Sequence, residues 1–384
     1  MDLPPSAVPV IAGGFLGAVT GFVMHRSSYC FAGAFRDLFL FRSTRLLESL
    51  LLLVASTAVL VEGARRAGLL PLYPFPLLAA SSVASLAGGV LFGTGMVLAG
   101  GCVTGTLYQA GAGRVSAWIA LAGMVIGSGL YAEVFPWCRA FDRATVLFGG
   151  ARTLPELLGL DPAWVVVPAT AASALALGRW HHRGSGLPRL PMAGYIAPWK
   201  ASLVLALVTA SSLVTVGMPL GVTTSFAKAA AALESAVAPG HVASLEYYRA
   251  LPLDSIHPWT GAHLVGGPGP RLDGIAIVQL PIVAGILLGA ALSALLLGEL
   301  RARLRLPPAQ AASALVGGVL MALGSRLASG CNLWHLMGGL SVMALGSLLF
   351  TAGMFAGAWA GSLLLVRLVL RQGTPAEAMA TGAA

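Results

Sequence analysis

Three cysteines stand where packing alone gives no reason for a thiol: Cys30 in "RSSYC" (26–30), Cys102 in "AGGCVTG" (99–105) and Cys331 in "ASGCNLWH" (328–335). A thiol is a weak donor and a soft, polarizable acceptor, and as a thiolate it becomes a nucleophile or a metal ligand. Metal binding calls for clustered ligands, but the four cysteines form no CxxC pair. The histidines (His25, His181, His182, His241, His257, His263 and His335) do not join them in a ligand pattern. Covalent chemistry calls for a nearby general base or a basic anion loop, and none accompanies these cysteines. Two readings remain: soft, reversible contact with a passing group, or the ordinary fate of an unpaired cysteine as a small buried hydrophobe. Cys138, in "FPWCRAF" (135–141), lacks such a setting and reads as structural. All four are expected as free thiols.

The neighbours sharpen the first reading. Gly100, Gly101 and Gly330 weaken any helix that contains them, so they predict breaks beside Cys102 and Cys331. Asn332 and His335 could offer hydrogen bonds to a ligand, or simply satisfy structural partners. Arg326, five residues before Cys331 within an apolar run, is an intramembrane charge and so a candidate binding residue, with a tie to helix carbonyls as its alternative.

The elements that must position these residues are membrane helices. Of 384 residues, 57% are hydrophobic and 10% charged, which points to a membrane protein rather than a soluble two-domain chain. Apolar runs at 8–24, 46–61, 77–99, 115–135, 162–178, 200–217, 274–298, 309–328 and 339–366 predict about nine spans, plus short broken or re-entrant helices. The N-terminal run has no basic flank and no clear cleavage site, so it is expected to remain in the mature protein. The net charge of +9 comes from short loops and reads as a set of topology determinants, not a nucleic-acid surface. Stretches 26–45 (Arg26, Arg36, Arg42, Arg45), 181–200 (Arg183, Arg189, Lys200) and 300–306 (Arg301, Arg303, Arg305) are expected to be cytoplasmic, as is the C-terminus with Arg367 and Arg371. Stretches 136–161 and 218–273 balance their charges and are expected outside. Arg65 and Arg66 run against this weave.

An internal repeat supports the same architecture. "GGVLFGTGMVLAGGCVTGTL" (88–107) and "GGVLMALGSRLASGCNLWHL" (317–336) share 10 of 20 residues at a constant offset of 229, which carries Cys102 onto Cys331. "AGMVIG" (122–127) and "AGMFAG" (352–357) extend it. The charge pattern gives the units opposite orientations, so the expected fold is an all-α inverted-repeat bundle with halves 1–199 and 200–384, the second holding an extracytoplasmic segment at 228–273. Inverted repeats place substrates at their interface, where broken helices turn their ends toward the site. For Gly123, Gly127, Gly353 and Gly357 close helix packing is an equal explanation. In the second half, Ser225 and Phe226 of "GVTTSFAK" (221–228) stand against Ser28 and Tyr29, without a cysteine.

"RSSYCFAGAFRD" (26–37), "GGVLFGTGMVLAGGCVTG" (88–105) and "ALGSRLASGCNLWH" (322–335) together resemble the YeeE/YedE family of sulfur-transport membrane proteins. The resemblance covers most of the chain. It implies an hourglass-like helical fold in the bacterial inner membrane, uptake of thiosulfate, and contact of the anion with Cys30, Cys102 and Cys331 along a central path. It also implies a small cytoplasmic sulfur carrier of the TusA type as partner. The long segment 228–273 departs from a minimal two-unit member.

Three functions compete: an importer of thiosulfate or a related anion, with a selenium compound as variant; a membrane sulfurtransferase working through a cysteine persulfide; and a structural subunit. The enzyme lacks its base and the structural subunit leaves the duplicated cysteines unexplained, so a transporter rather than an enzyme is expected. No nucleotide-binding motif is evident, and no cofactor is expected.

Overall fold

The computed structural model describes residues 7–182, 194–300 and 306–367; Arg183, Arg189, Arg301, Arg303, Arg305 and Arg371 lie outside the described residues. Among the described residues the regular structure is helical apart from one antiparallel ribbon, β1 (Leu253–Ile256) with β2 (His263–Gly266), and two isolated bridges. Eight stretches are long and apolar enough to cross a membrane: Ala7–Phe41, Arg45–Arg66, Val83–Gly111, Val115–Ala144, Pro198–Thr215, Gly274–Leu297, Pro308–Leu327 and Leu345–Leu365. The ninth apolar run forms the helix Pro162–His182, which is not one of the eight.

Four of the helices are broken, and the breaks organise the molecule. α1 (Ala7–Ser27) gives way to α2 (Phe31–Phe41), and after α3 (Arg45–Arg66) α4 (Val83–Leu98) gives way to α5 (Val103–Gly111). The chain continues through α6 (Val115–Ala144), α7 (Leu154–Leu158) and α8 (Pro162–His182). Then α9 (Pro198–Thr215) gives way to α10 (Thr224–Val237), followed by the short α11 (Pro239–Ser244) and α12 (Glu246–Arg249), the ribbon and α13 (Gly274–Leu297). Finally α14 (Pro308–Leu327) gives way to a π-helical segment, Leu333–Gly339, before α15 (Leu345–Leu365).

Three of the breaks use one device. Ser28, Gly100 and Ser329 take left-handed φ values of 50°, 74° and 59°. The next residue in each case donates its N–H five residues back: Tyr29 to Met24 O at 3.0 Å, Gly101 to Met96 O at 3.0 Å, Gly330 to Ser325 O at 2.8 Å. This closure caps the last carbonyls of a helix and turns the chain sharply. In the second half the break therefore falls on Ser329 rather than on Gly330. Gly330 is small for another reason: a Cβ there would lie 2.5 Å from Trp334 Cδ1 and 3.1 Å from His335 Nε2.

Helix packing rests on glycine. α4 crosses α14 antiparallel, with Gly88 against Gly324 and Gly95 against Gly317; a Cβ on Gly88 or Gly95 would lie 2.7 Å from the facing carbonyl oxygen. Added methyls at Gly123 and Gly127 would strike α14 carbonyls, and at Gly353 and Gly357 α4 carbonyls. These four glycines are packing residues. The helix pairings come in exchanged sets: α1 on α13 with α9 on α3, α4 on α15 with α14 on α6, and α2 on α15 with α10 on α6.

Arg65 and Arg66 are paired at the end of α3. Glu62 accepts from both, and Asp161 bonds Arg65 at 2.9 Å, so their charges are largely compensated by that edge.

The 228–273 segment is tied down at its two ends by one ion pair. Lys228 Nζ, 6% exposed, donates to Asp273 Oδ2 at 2.8 Å and to the carbonyls of Gly269 and Arg271, while Asp273 Oδ1 accepts from Ile275 and Ala276 to cap α13. Removing one partner of a buried pair strands the other, at about 3–5 kcal/mol. Lys228→Met is expected to lower the unfolding temperature by several degrees and expose this segment to protease. Unchanged melting and digestion would show that the pair does not hold it.

Candidate functional site

Two cavities approach the breaks from opposite directions. One, about 370 Å³, is lined by Arg326, Gly330 and Cys331 of the α14 break together with Thr223, Thr224 and Tyr247. The other, about 440 Å³, is lined by Cys30, Arg36, Gly100, Tyr108, Arg114 and Glu299. Stretches 136–161 and 218–273 contribute to the first; 26–45, Tyr195, Pro198 and Glu299 contribute to the second.

Cys102 is fully buried between them. It caps α5: its carbonyl accepts from Thr106 N–H at 2.6 Å and its Sγ accepts from Gly105 N–H at 3.2 Å. Cys30 holds the corresponding N-cap place of α2. The two thiols are neighbours, and both crowd Gly105, where a Cβ would lie 3.1 Å from Cys30 Sγ and 3.3 Å from Cys102 Sγ. A side chain at Gly105 would press on both sulfurs. On the other side of Cys102 lies Asn332, whose amide is within reach of that thiol but not in hydrogen-bond geometry. Asn332 is completely buried, and among the described residues neither its Nδ2 nor its Oδ1 has a partner. Cys331, next in the chain, faces the backbone N–H groups of Leu333 and Trp334. The order across the molecule is Cys331, Asn332, Cys102, Cys30.

Gly100 and Gly101 make the turn into Cys102. Gly101 leaves room for Gln109 Nε2, 3.0 Å from where its Cβ would stand. Of the two roles open to His335, its contacts here are those of a structural tie. Its Nε2 donates to Ala328 O at 3.0 Å, which fixes the tautomer, so Nδ1 accepts from Ser347 at 2.8 Å; the ring stacks on Phe350. Both nitrogens are used, and His335 pins the π-helical segment to the end of α14. Cys138 is half-buried on the wall of the first cavity, away from the breaks, and all four cysteines are free.

Sequence reading missed several groups. Thr104 and Ser225, both at the second position of their helices α5 and α10, bury hydroxyls that have no partner among the described residues. Thr223 directly precedes α10, as Cys30 precedes α2, although its backbone is helical where that of Cys30 is extended. A usable signal was the small residue two before each thiol, Ser28, Gly100 and Ser329, since each carries the left-handed turn.

The arrangement concentrates helix N-termini, thiols and an unsatisfied amide where two cavities nearly meet. Helix N-termini favour anions, and a buried amide without a partner is costly unless a ligand or water supplies one. Fold and composition define a multi-pass helical membrane protein with buried thiols beside the breaks of its helices. The chain belongs to the sulphur-transport family, which it matches over residues 26–360. It is 28% identical over 373 residues to the thiosulfate transporter TsuA of Spirochaeta thermophila, covering 92% of this chain and 98% of that protein. Over 114 residues it is 41% identical to the thiosulfate transporter TsuA of Escherichia coli, 29% of this chain and 31% of that one. A probable transporter, YedE of Escherichia coli, is 34% identical over 116 residues, 30% of this chain and 28% of that one.

Proposed function

We propose that this protein imports thiosulfate, or a closely related sulfur-containing anion, across the bacterial inner membrane. The carrying observation is the series Cys331, Asn332, Cys102 and Cys30 between two opposed cavities. The cavity at Cys331 faces outward and the one at Cys30 faces the cytoplasm, as does the C-terminus. The antiparallel crossing of α4 and α14, together with the exchanged helix pairings, supports an inverted repeat of 1–199 and 200–384. A cytoplasmic carrier of the TusA type would receive the sulfur at the inner cavity.

Conduction needs binding strong enough to enter and weak enough to leave. Thiols meet that need: each offers a weak S–H donor and a polarizable sulfur to the anion's terminal sulfur, while the N-termini of α2 and α5 supply backbone N–H groups. The Asn332 amide completes the set with two donors. Gly100 and Gly101, and Ser329 with Gly330, hold Cys102 and Cys331 at this depth without leaving unpaired backbone in lipid.

Full-length protein in vesicles, with labelled thiosulfate, sulfite, sulfate and selenite tested in turn, decides the substrate. Thiosulfate is expected to accumulate intact without carrier or reductant. Preferential uptake of selenite would move the assignment to a selenium compound. Sulfite release in proportion to a cysteine persulfide on Cys102 or Cys331 would replace transport by covalent transfer.

A further inference from the structure

We infer that Arg326, with the hydroxyls of Thr223, Thr224 and Tyr247, forms a docking station that draws the anion to the floor of the outer cavity before it reaches Cys331. This rests on the transport reading above and assigns the charge recognition that the thiols lack.

Arg326 sits in the last turn of α14, and its charge bears on the Cys331 thiol. Its guanidinium donates to Thr224 Oγ1 at 3.2 Å, to Tyr247 Oη at 3.4 Å and to Thr223 Oγ1. Every one of these partners is neutral. Nε is buried and has no partner, and no carboxylate lies within ion-pair distance of Arg326 among the described residues. The other ionised groups on the cavity wall are engaged: Arg139 pairs with Glu246, and Asp142 accepts from Ser82 at 2.5 Å. A full positive charge at membrane depth is expensive unless something compensates it; Asp142, on the same wall, is not within ion-pair distance of Arg326, and an anion bound in the cavity would supply a direct counter-charge.

The hydroxyls strengthen the case through the direction of their hydrogen bonds. Each oxygen already accepts from the guanidinium, so its own proton is free to point elsewhere. The cluster therefore presents a cation and up to three O–H donors to one volume, the donor set of an oxyanion site. Thr224 adds to this polarity through Gln279, whose Oε1 accepts from its N–H at 3.0 Å.

The station is absent from the other half of the repeat. The residue at the Arg326 position there is Val97, buried at 1% exposure. The cation beside Cys331 thus has no repeat-related counterpart beside Cys102, and the arginines of the inner cavity, Arg36 and Arg114 among them, come from other positions. Tyr247 comes from α12, so the 228–273 segment, clamped by Lys228 and Asp273, contributes a group to the station.

The test is uptake kinetics of labelled thiosulfate by the full chain in vesicles, for the wild type and for Arg326→Gln, Arg326→Lys and Tyr247→Phe. Loss of one charge-assisted site predicts a KM raised about 10- to 30-fold in Arg326→Gln, with a smaller effect on maximal rate. Arg326→Lys should recover part of that loss, because charge returns without the fork, and Tyr247→Phe should raise KM about threefold. A KM unchanged in Arg326→Gln, or a lowered rate and melting temperature at constant KM, would reduce Arg326 to a structural tie and overturn the station while leaving transport intact. Should Arg326→Gln fail to assemble, unchanged KM values in both Arg326→Lys and Tyr247→Phe overturn it equally. Absence of uptake by the wild type would instead overturn the transport reading, and the station with it.

Discussion

Cys102→Ala is expected to cut thiosulfate uptake at least about tenfold, because it removes a fully buried thiol that neighbours both Asn332 and Cys30. A hydrogen bond to a charged species is worth roughly 1.5–3 kcal/mol in a desolvated setting, and each 1.4 kcal/mol is a factor of about ten. Alanine also leaves the Gly105 N–H, which now donates to Cys102 Sγ, without that acceptor. Serine is expected to restore little: a hydroxyl is shorter and binds hydrogen-bond partners more strongly, so it loses the fit to sulfur and hinders release. Cys331→Ala should show a comparable loss. Cys138→Ala should stay near the wild type, since that thiol lies on the cavity wall and apart from the breaks. Normal uptake by Cys102→Ala in vesicles would show that the thiol is only packing.

Gly95→Val is expected to lower the yield of folded protein after extraction by roughly tenfold or more. The site is where α4 crosses α14, and a Cβ on Gly95 would stand 2.7 Å from both Gly317 O and Met321 N. Neither obstacle is a side chain that can swing aside. Backbone must part from backbone, and overpacking of this kind costs about 1–3 kcal/mol even where some relaxation is possible. The same helices carry Cys102 and Cys331, so any molecules that do fold should also have their constriction displaced. Gly63→Val provides the contrast: nothing lies within 4 Å of a Cβ at Gly63, near the end of α3. Equal monodispersity and melting for the two variants on size-exclusion chromatography and thermal unfolding would refute glycine-dependent packing at the crossing.

The amino-acid sequence by itself determined the class of the molecule and the identity of its thiols. Long apolar runs dictate membrane helices because backbone in hydrocarbon must pair with itself, and each run fell on a helix, although that of 162–178 is not among the eight long and apolar enough to span. The 229-residue offset singled out Cys102 and Cys331 because a repeat is a linear property. Tertiary structure alone decided what depends on groups far apart in the chain. The left-handed turn fell on Ser329, since the bonds from Gly330 to Ser325 and from Ser329 to Arg326 fix the closure and Gly330 serves to clear Trp334. His335 proved fully satisfied because Ser347 and Ala328, twelve and seven residues away, converge on its ring. Cys30 met Cys102, and Asn332 came beside them with no partner among the described residues, because the starts of α2 and α5 and the α14 break converge. Arg326 found only hydroxyls because Thr223, Thr224 and Tyr247 reach it from about a hundred residues away or less, a proximity no local pattern of charge or hydropathy encodes.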